Sequence, residues 1–239
     1  GRKCLICGGP AKVCSSRRVH PVAELQARTT AILTETMDTL DAATAARQAV
    51  RALLYEVTTT PKPGLVDRRN SGSHTDMDSF TFMSSAASLY PYFEACTRAG
   101  RKTADGPAPE TFAALRPLGC EAEGEMLAAT HGVNTHKGAL YSFALLLSAL
   151  GRSLTEGGDP FHTAAAIAGA LPPASGTHGS AVRAQCGGVR QEAISGFPTA
   201  RHMREPLSRS GALAALTWSM SRLDDSTLVY RGGPEGLRY

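Results

Sequence analysis

TTTPKPGLVDRRNSGSHTDMD, residues 58–78, separates two segments whose apolar residues recur at helical spacing, and that placement decides how the chain is read. Upstream, Ala45, Ala46, Ala49, Val50, Leu53, Leu54 and Val57 mark one helix face. Downstream, Met77, Phe80, Met83, Ala86, Ala87, Tyr90 and Phe93 mark another, with a kink or break predicted near Pro91. Between them Pro61, Pro63, Gly64 and Gly72 exclude a regular element. A polar loop this long between packed helices is usually functional or disordered. Its cations Lys62, Arg68 and Arg69, with His74 and the carboxylates Asp67, Asp76 and Asp78, suit a site that grips a polyphosphate and its metal.

The rest of the chain extends the helical pattern. Gly100 to Pro109 is a turn-rich break. A helix begins at Phe112 to Leu115 and is predicted to restart at Pro117 and run to Thr130. The next, about His136 to Leu150, is apolar nearly all round, which predicts a central position. Asp159-Pro160 opens a fifth, with Asp as N-cap and Pro at the first helical position. Ser208 to Leu223 reads as the last helix. No alternating strand pattern follows residue 28, so the fold class is all-α, with polar functional loops between helices. The predicted organisation is a small irregular Cys-containing tail over 1–28, a connecting helical or linker segment over 29–40 and a helical domain over 41–239.

Composition narrows the function classes. Hydrophobic residues make up 42% of the 239, enough for a real core, and aromatics are scarce at 6%. No apolar run is long enough to span a membrane. Gly1-Arg2-Lys3-Cys4 is not a signal peptide, and six Cys without a secreted framework point to a reducing, cytoplasmic setting. Residues 1–28 hold six Lys/Arg and one Glu, a net +5 against −1 for the remainder, so the helical domain gives no reason to expect nucleic acid as a partner.

Four polar, Gly-containing segments carry the candidate chemistry. In the first, Thr75-x-x-Asp78 has a plain structural account as a capping box, with Asp76 favoured by the helix dipole. That account leaves Lys62, Asp67, Arg68, Arg69 and His74 unexplained. A helix N-terminus with Arg and Lys nearby is an anion site, and Asp76 and Asp78 could share a hard cation such as Mg2+. In the second, Gly132-Val133-Asn134-Thr135-His136-Lys137-Gly138, Thr135 reads as an N-cap and His136 and Lys137 as solvated first-turn residues. Positive charge at a helix start opposes the dipole and favours an anionic partner there. The third and fourth hold Arg190 with Glu192, read as a surface pair, and Asp224 and Asp225 with Arg231. Before the second segment, Glu121, Glu123 and Glu125 read as a solvated acidic face unless one turns inward as a metal ligand or base. No P-loop is present. In the tail, Cys4, Cys7, Cys14 and His20 are residue types that hold a structural Zn2+, but without a second CxxC the reading favours ordinary thiols.

At these residues the chain resembles the triphosphoribosyl-dephospho-CoA synthase family, which makes the precursor of the citrate lyase prosthetic group. The matching motifs are Thr59 to Asp67, Ser73 to Asp78, Asn134 to Gly138, Gly188-x-Arg190-x-Glu192-Ala193-x-x-Gly196-Phe197-Pro198 and Asp225-x-x-Leu228-x-x-Arg231-Gly232-Gly233. Five motifs in order are specific where one alone would not be. Ala122-Glu123-x-x-Met126 also fits and singles out Glu123 among the three glutamates. Residues 1–28 resemble, more weakly, the C-terminal end of the phosphoribosyl-dephospho-CoA transferase that loads the citrate lyase acyl carrier protein, through Gly1 to Cys7, Cys14, Arg17 and Arg18. The order is that of the fused bifunctional form. The resemblance implies a piece cut at both ends, with an incomplete pocket and the acyl carrier protein as a partner of the missing part.

The resemblance further implies transfer of the 5-triphosphoribosyl group of ATP to the 2′-hydroxyl of 3′-dephospho-CoA with loss of adenine. Lys62, Arg68, His136 and Lys137 would then meet phosphates, with Asn134 in the same motif. Arg190 and Arg231 are second-tier anion contacts, and Asp76 and Asp78 are the Mg2+ candidates. Asp67, His74 or Glu123 would be base or oxocarbenium stabiliser, an order the sequence leaves open. Two rival readings stand beside this one. One is an ATP-dependent kinase or phosphohydrolase on a helical scaffold. The other is a non-catalytic fragment with a basic, zinc-knuckle-like tail that binds nucleic acid or a protein.

Overall fold

The structure, a computed structural model, describes residues 1–62, 64–170, 188–203, 211 and 213–219. Among these residues it is all-α, and its one extended pairing is the isolated antiparallel bridge between Lys3 and Pro10. The helices are α1 (Ala11–Ser16), α2 (Val22–Thr58), α3 (Ser79–Ser88), α4 (Tyr90–Lys102), α5 (Ala108–Ala129), α6 (Lys137–Glu156), α7 (Pro160–Gly169), α8 (Gly188–Ile194) and α9 (Pro198–His202). Residues 213–219 are also helical. The chain divides into two compact units, Gly1–Thr44 and Ala45–Tyr239. No helix among the described residues is long and apolar enough to cross a membrane.

In the larger unit, α6 is the shared wall. Leu140, Ala144 and Leu147 join one apolar cluster with Phe93, Leu89, Leu115 and Met126. Leu145 and Ala149, on another face, join a second cluster with Ile167, Ala193 and Phe197. The predicted central position of this helix follows from those two faces. The predicted face of α2 is buried as well, at Ala45, Ala46, Ala49, Leu53 and Val57.

Small residues set how closely α4 and α6 approach. A Cβ on Gly100 would collide with the carbonyl of Ser148, and one on Gly151 with the carbonyl of Thr97. Beside this crossing, the Arg152 guanidinium is buried and donates to four oxygens. These are Thr103 O (2.6 Å), Thr111 Oγ1 (2.9 Å), Ala104 O (2.7 Å) and Gly106 O (2.8 Å). The cation sits near the C-terminus of its helix, where the dipole favours it, and it fastens the α4–α5 turn to α6.

The structure departs from sequence expectation at several boundaries. The segment 29–40, read as a connecting helical or linker stretch, is the interior of α2. The Pro91 break is real but clean: α3 ends, Leu89 intervenes, and Pro91 sits in the first turn of α4, where its missing N–H costs nothing. Pro117 does not restart a helix; α5 passes straight through it. Leu115 on one side of the proline and Ala122 and Met126 on the other are buried in one cluster, and that packing outweighs the lost hydrogen bond. The helix start predicted at Thr75 moves to Asp78, which caps α3 by accepting from Thr81 N at 2.8 Å. Thr81 Oγ1 returns the bond from Asp78 N at 3.2 Å. Asp159 caps α7 as expected, accepting from Phe161 N at 3.0 Å.

Gly151→Ala is expected to lower the free energy of unfolding by about 1–3 kcal/mol through overpacking. Gly124→Ala, in an exposed part of α5 with open space around it, should leave stability unchanged or raise it by about 0.5–1 kcal/mol. Urea unfolding followed by circular dichroism separates the two. Equal effects would mean the α4–α6 approach is not constrained by its glycines.

Candidate functional site

The loop between α2 and α3 is organised from within by one carboxylate. Asp67 is buried and accepts three backbone amides, from Arg69 (2.7 Å), Lys62 (3.0 Å) and Asn70 (3.1 Å). Hydrogen bonds from the Arg69 and Lys62 amides, the largest influences, hold its carboxyl below the usual aspartate value despite burial. Gly72 has a positive φ of 58° and lies against the Gly64–Leu65 backbone, where a side chain would collide. The loop is therefore a built structure, closed by Ser73 N to Gly64 O at 3.1 Å.

Its other candidates are placed unequally. Lys62, read as a phosphate contact, is buried with 4% exposure, and its ammonium is held by Glu56 Oε1 at 2.6 Å. Arg68 is exposed and reaches Thr60 Oγ1 at 3.4 Å. His74 Nδ1 lies 3.8 Å from the exposed Asp76 carboxylate. Asp78 is exposed but engaged as the α3 cap, and its bonds with Thr81 N and Oγ1 hold its pKa down.

The second loop differs most from expectation. Thr135 is not the N-cap of α6. Its hydroxyl donates to Ser85 Oγ on α3 at 2.7 Å, and Asn134 Oδ1 accepts the Lys137 amide at 3.3 Å instead. His136 is not solvated. It is 6% exposed, with its ring edge-on to Phe82 at 5.0 Å and Nδ1 against Ser85 Oγ at 2.7 Å. Ser85 Oγ thus joins the Thr135 hydroxyl to Nδ1 of the ring, and the opposite ring nitrogen is Nε2. That Nε2 is buried and has no hydrogen-bond partner. Burial pulls the imidazole pKa down to about 4, so at neutral pH the ring is uncharged.

Next to this neutral ring, Lys137 points the other way. Its ammonium meets Glu123 Oε1 on α5 at 2.5 Å, with side chains 61% and 36% exposed. Both residues line a cleft of about 230 Å³ between α4, α5 and α6, otherwise built from Tyr92, Phe112, Leu115 and Leu140 with Arg116 beside them. Glu123 is half-buried, whereas Glu121 and Glu125 are exposed. A concave apolar site with a few convergent polar groups is the usual form of a small-molecule pocket.

The structure thus seats the amino end of α6 between two partners, with His136 against Phe82 and Ser85 of α3 and Lys137 against Glu123 of α5. Arg190 is half-buried on α8, and the Glu192 carboxylate accepts the Thr199 amide at 2.7 Å. Arg231 with Asp224 and Asp225, and Cys186, lie outside the described residues. Sequence reasoning passed over Glu56, Ser85 and Arg116. Glu56, six residues before Lys62, was visible as the last acid of α2; Ser85 gave no local signal. In the unit Gly1–Thr44, Cys4, Cys7, Cys14 and His20, read as ordinary residues, offer ligand atoms all within 4.8 Å of one another.

Comparison with known proteins joins this arrangement to a chemistry. Residues 42–239 match the ATP:dephospho-CoA triphosphoribosyl transferase family (CitG), and residues 1–36 match apo-citrate lyase phosphoribosyl-dephospho-CoA transferase (CitX). The 2-(5″-triphosphoribosyl)-3′-dephosphocoenzyme-A synthase of Klebsiella pneumoniae is 38% identical over 215 residues, covering 79% of this chain and 71% of that protein. The synthase of the same name from Haemophilus ducreyi is 32% identical over 268 residues, covering 98% and 82%. Protein CitXG of Leuconostoc mesenteroides subsp. cremoris is 37% identical over 162 residues, covering 65% of this chain and 35% of that protein. No solved structure matches. With its helical unit matched nearly end to end, the chain belongs to the ATP:dephospho-CoA triphosphoribosyl transferase family.

Proposed function

We propose that this chain joins ATP to 3′-dephospho-CoA at the amino ends of α3 and α6 and in the adjoining cleft. The observation that carries the reading is the Glu123–Lys137 pair at an apolar cleft between α4, α5 and α6. The bond between ribose C1′ and adenine breaks, and a bond forms from C1′ to the 2′-oxygen of dephospho-CoA. The hydroxyl proton passes to a base, adenine leaves with the bonding electrons and takes up a proton, and the triphosphate is retained. Such a transition state resembles an oxocarbenium ion and calls for a carboxylate near C1′.

Glu123 is the best-placed carboxylate for that task. Asp67 is committed to three amides and held in its weakly basic form, so it frames the loop. His74 stands beside Asp76 and is the second candidate. An exposed ion pair is worth no more than about 1 kcal/mol, so a phosphate can draw Lys137 away and leave Glu123 to take the hydroxyl proton. Arg68 and Arg116, with Arg190 and Arg231 as outer contacts, are the further phosphate partners; Lys62 is bound too firmly in the protein to join them. Asn134 and His136 position Lys137, one through its amide and the other through α3.

Mg2+ fits this arrangement through the exposed Asp76 and the neighbouring Asp78. Mg2+ characteristically takes one or two carboxylates together with substrate phosphates. Bound there, it would neutralise triphosphate charge. The N-terminal match to the citrate lyase transferase supports the acyl carrier protein as the destination of the product.

Three measurements test the reading. Incubating the chain with ATP, Mg2+ and 3′-dephospho-CoA should release adenine in step with dephospho-CoA consumed; ADP or phosphate would instead identify a kinase or phosphohydrolase. Glu123→Gln is expected to slow adenine release by about 10²-fold or more, the range of general base catalysis. Asp76→Asn and Asp78→Asn should each remove most adenine release. Asn also serves as an N-cap, so Asp78→Asn spares α3. Near-normal turnover in both would reject these carboxylates as Mg2+ ligands.

The buried imidazole predicts a pH dependence of stability. The unfolded chain takes up the His136 proton below about pH 6.5, whereas the folded chain resists until about pH 4. Stability therefore falls as pH drops through that window, by roughly 3 kcal/mol in all, and stays low beneath it. His136→Gln is expected to remove that component from unfolding curves taken between pH 7 and pH 4. An unchanged pH slope in the variant would show that His136 is not held neutral.

A further inference from the structure

We propose that Cys4, Cys7, Cys14 and His20 hold a structural zinc ion in the unit Gly1–Thr44. The four residues come from three places in the chain and meet at one point: a tight turn supplies Cys4 and Cys7, α1 supplies Cys14, and the approach to α2 supplies His20. Their ligand atoms all lie within 4.8 Å of one another, and the sulfurs of Cys7 and Cys14 are 3.5 Å apart. A tetrahedral zinc with Zn–S bonds of about 2.3 Å places its sulfurs about 3.8 Å from each other. The cluster is therefore already the size of the ion. Three thiolates and one imidazole are a donor set that zinc takes in closed structural sites.

The backbone around the cluster is shaped to present these atoms. Gly8 adopts a positive φ of 71°, and its amide donates to Cys4 O at 3.0 Å. Cys4 N donates to Gly9 O at 2.7 Å, closing the turn that brings Cys4 and Cys7 together. Val19 N donates to Cys14 O at 3.0 Å, which holds His20 close to α1. The imidazole is oriented as a metal ligand would be: Nδ1 faces Glu24 Oε2 at 3.5 Å, while Nε2 is buried with no hydrogen-bond partner. A carboxylate behind a ligating histidine fixes the ring and strengthens it as a donor.

Energetics also call for a tie here. Between Gly1 and His20, Cys4 alone is buried, and α1 buries none of its residues. A unit this small, without an apolar centre, is the kind that a metal holds together.

The test uses the full chain, purified without chelator and with its thiols kept reduced, and measures metal content by mass spectrometry and thiols by titration. One zinc per chain is expected to survive gel filtration. Replacement by Co2+ should give the thiolate charge-transfer and visible bands of a tetrahedral site. Cys7→Ser and Cys14→Ser should each lose the stoichiometric zinc while the helical signal of the larger unit is kept, and Glu24→Gln should weaken retention about 10- to 100-fold. Wild-type chain that takes up neither zinc nor cobalt overturns the proposal. So does zinc retained undiminished in both serine variants, or a Cys7–Cys14 disulfide formed in preference to metal binding under reducing conditions.

Discussion

The close crossing of α4 and α6 is the constraint on which the larger unit depends. Gly100 and Gly151 let the two backbones approach, and Arg152 then locks the α4–α5 turn onto the same helix through four oxygens. Leaving any of those carbonyls buried without a donor would cost about 1–3 kcal/mol, so the turn and the crossing support each other. With α6 fixed at its C-terminal half, its N-terminal end has one place to go. It delivers His136 against α3 and Lys137 against α5. The functional residues inherit their positions from a packing contact several turns away.

The charges of the site divide by how firmly the protein holds them. Lys62 and Asp67 are buried and engaged, and removing either partner would strand a charge or several amides. These residues give the loop its shape. Lys137 and Glu123 meet near solvent, where an ion pair contributes little and a multiply charged ligand outcompetes it. Arg68 is exposed, and among the described residues its guanidinium reaches the Thr60 hydroxyl. In the proposed reading, a triphosphate would recruit the loosely held cations and leave the frame intact. That division is what a site needs if it must keep the triphosphate whole while the sugar reacts.

Much of this was legible in the sequence because it is local. Helical periodicity identified the elements, Asp159-Pro160 marked a true helix start, and the apolar circumference of α6 foretold its place between two clusters. The polar loops were visible as interruptions. What could not be read depends on partners far along the chain. Pro117 looks like a helix boundary until Leu115, Ala122 and Met126 are seen packing on both sides of it. Thr135 looks like a cap until Ser85, fifty residues away, claims its hydroxyl. His136 looks solvated until Phe82 and Ser85 cover it. The tail cysteines look incidental until the Gly8 turn and the α1 approach place them together. In each case a local rule was sound and a tertiary contact outweighed it.

The same distinction bears on the choice between sugar chemistry and phosphate chemistry. Phosphoryl transfer concentrates cations and metal at the terminal phosphate, because nearly all of its catalysis is electrostatic. Here the carboxylate best placed to act lines an apolar cleft with Tyr92, Phe112 and Leu140, and its cationic partner is readily surrendered. Apolar walls suit a purine that must leave, and a freed carboxylate suits a hydroxyl that must attack. His136 is not among the residues that line this cleft. Its neutral ring packs against Phe82 and Ser85 on α3 and seats the amino end of α6, so the histidine serves the packing that positions Lys137.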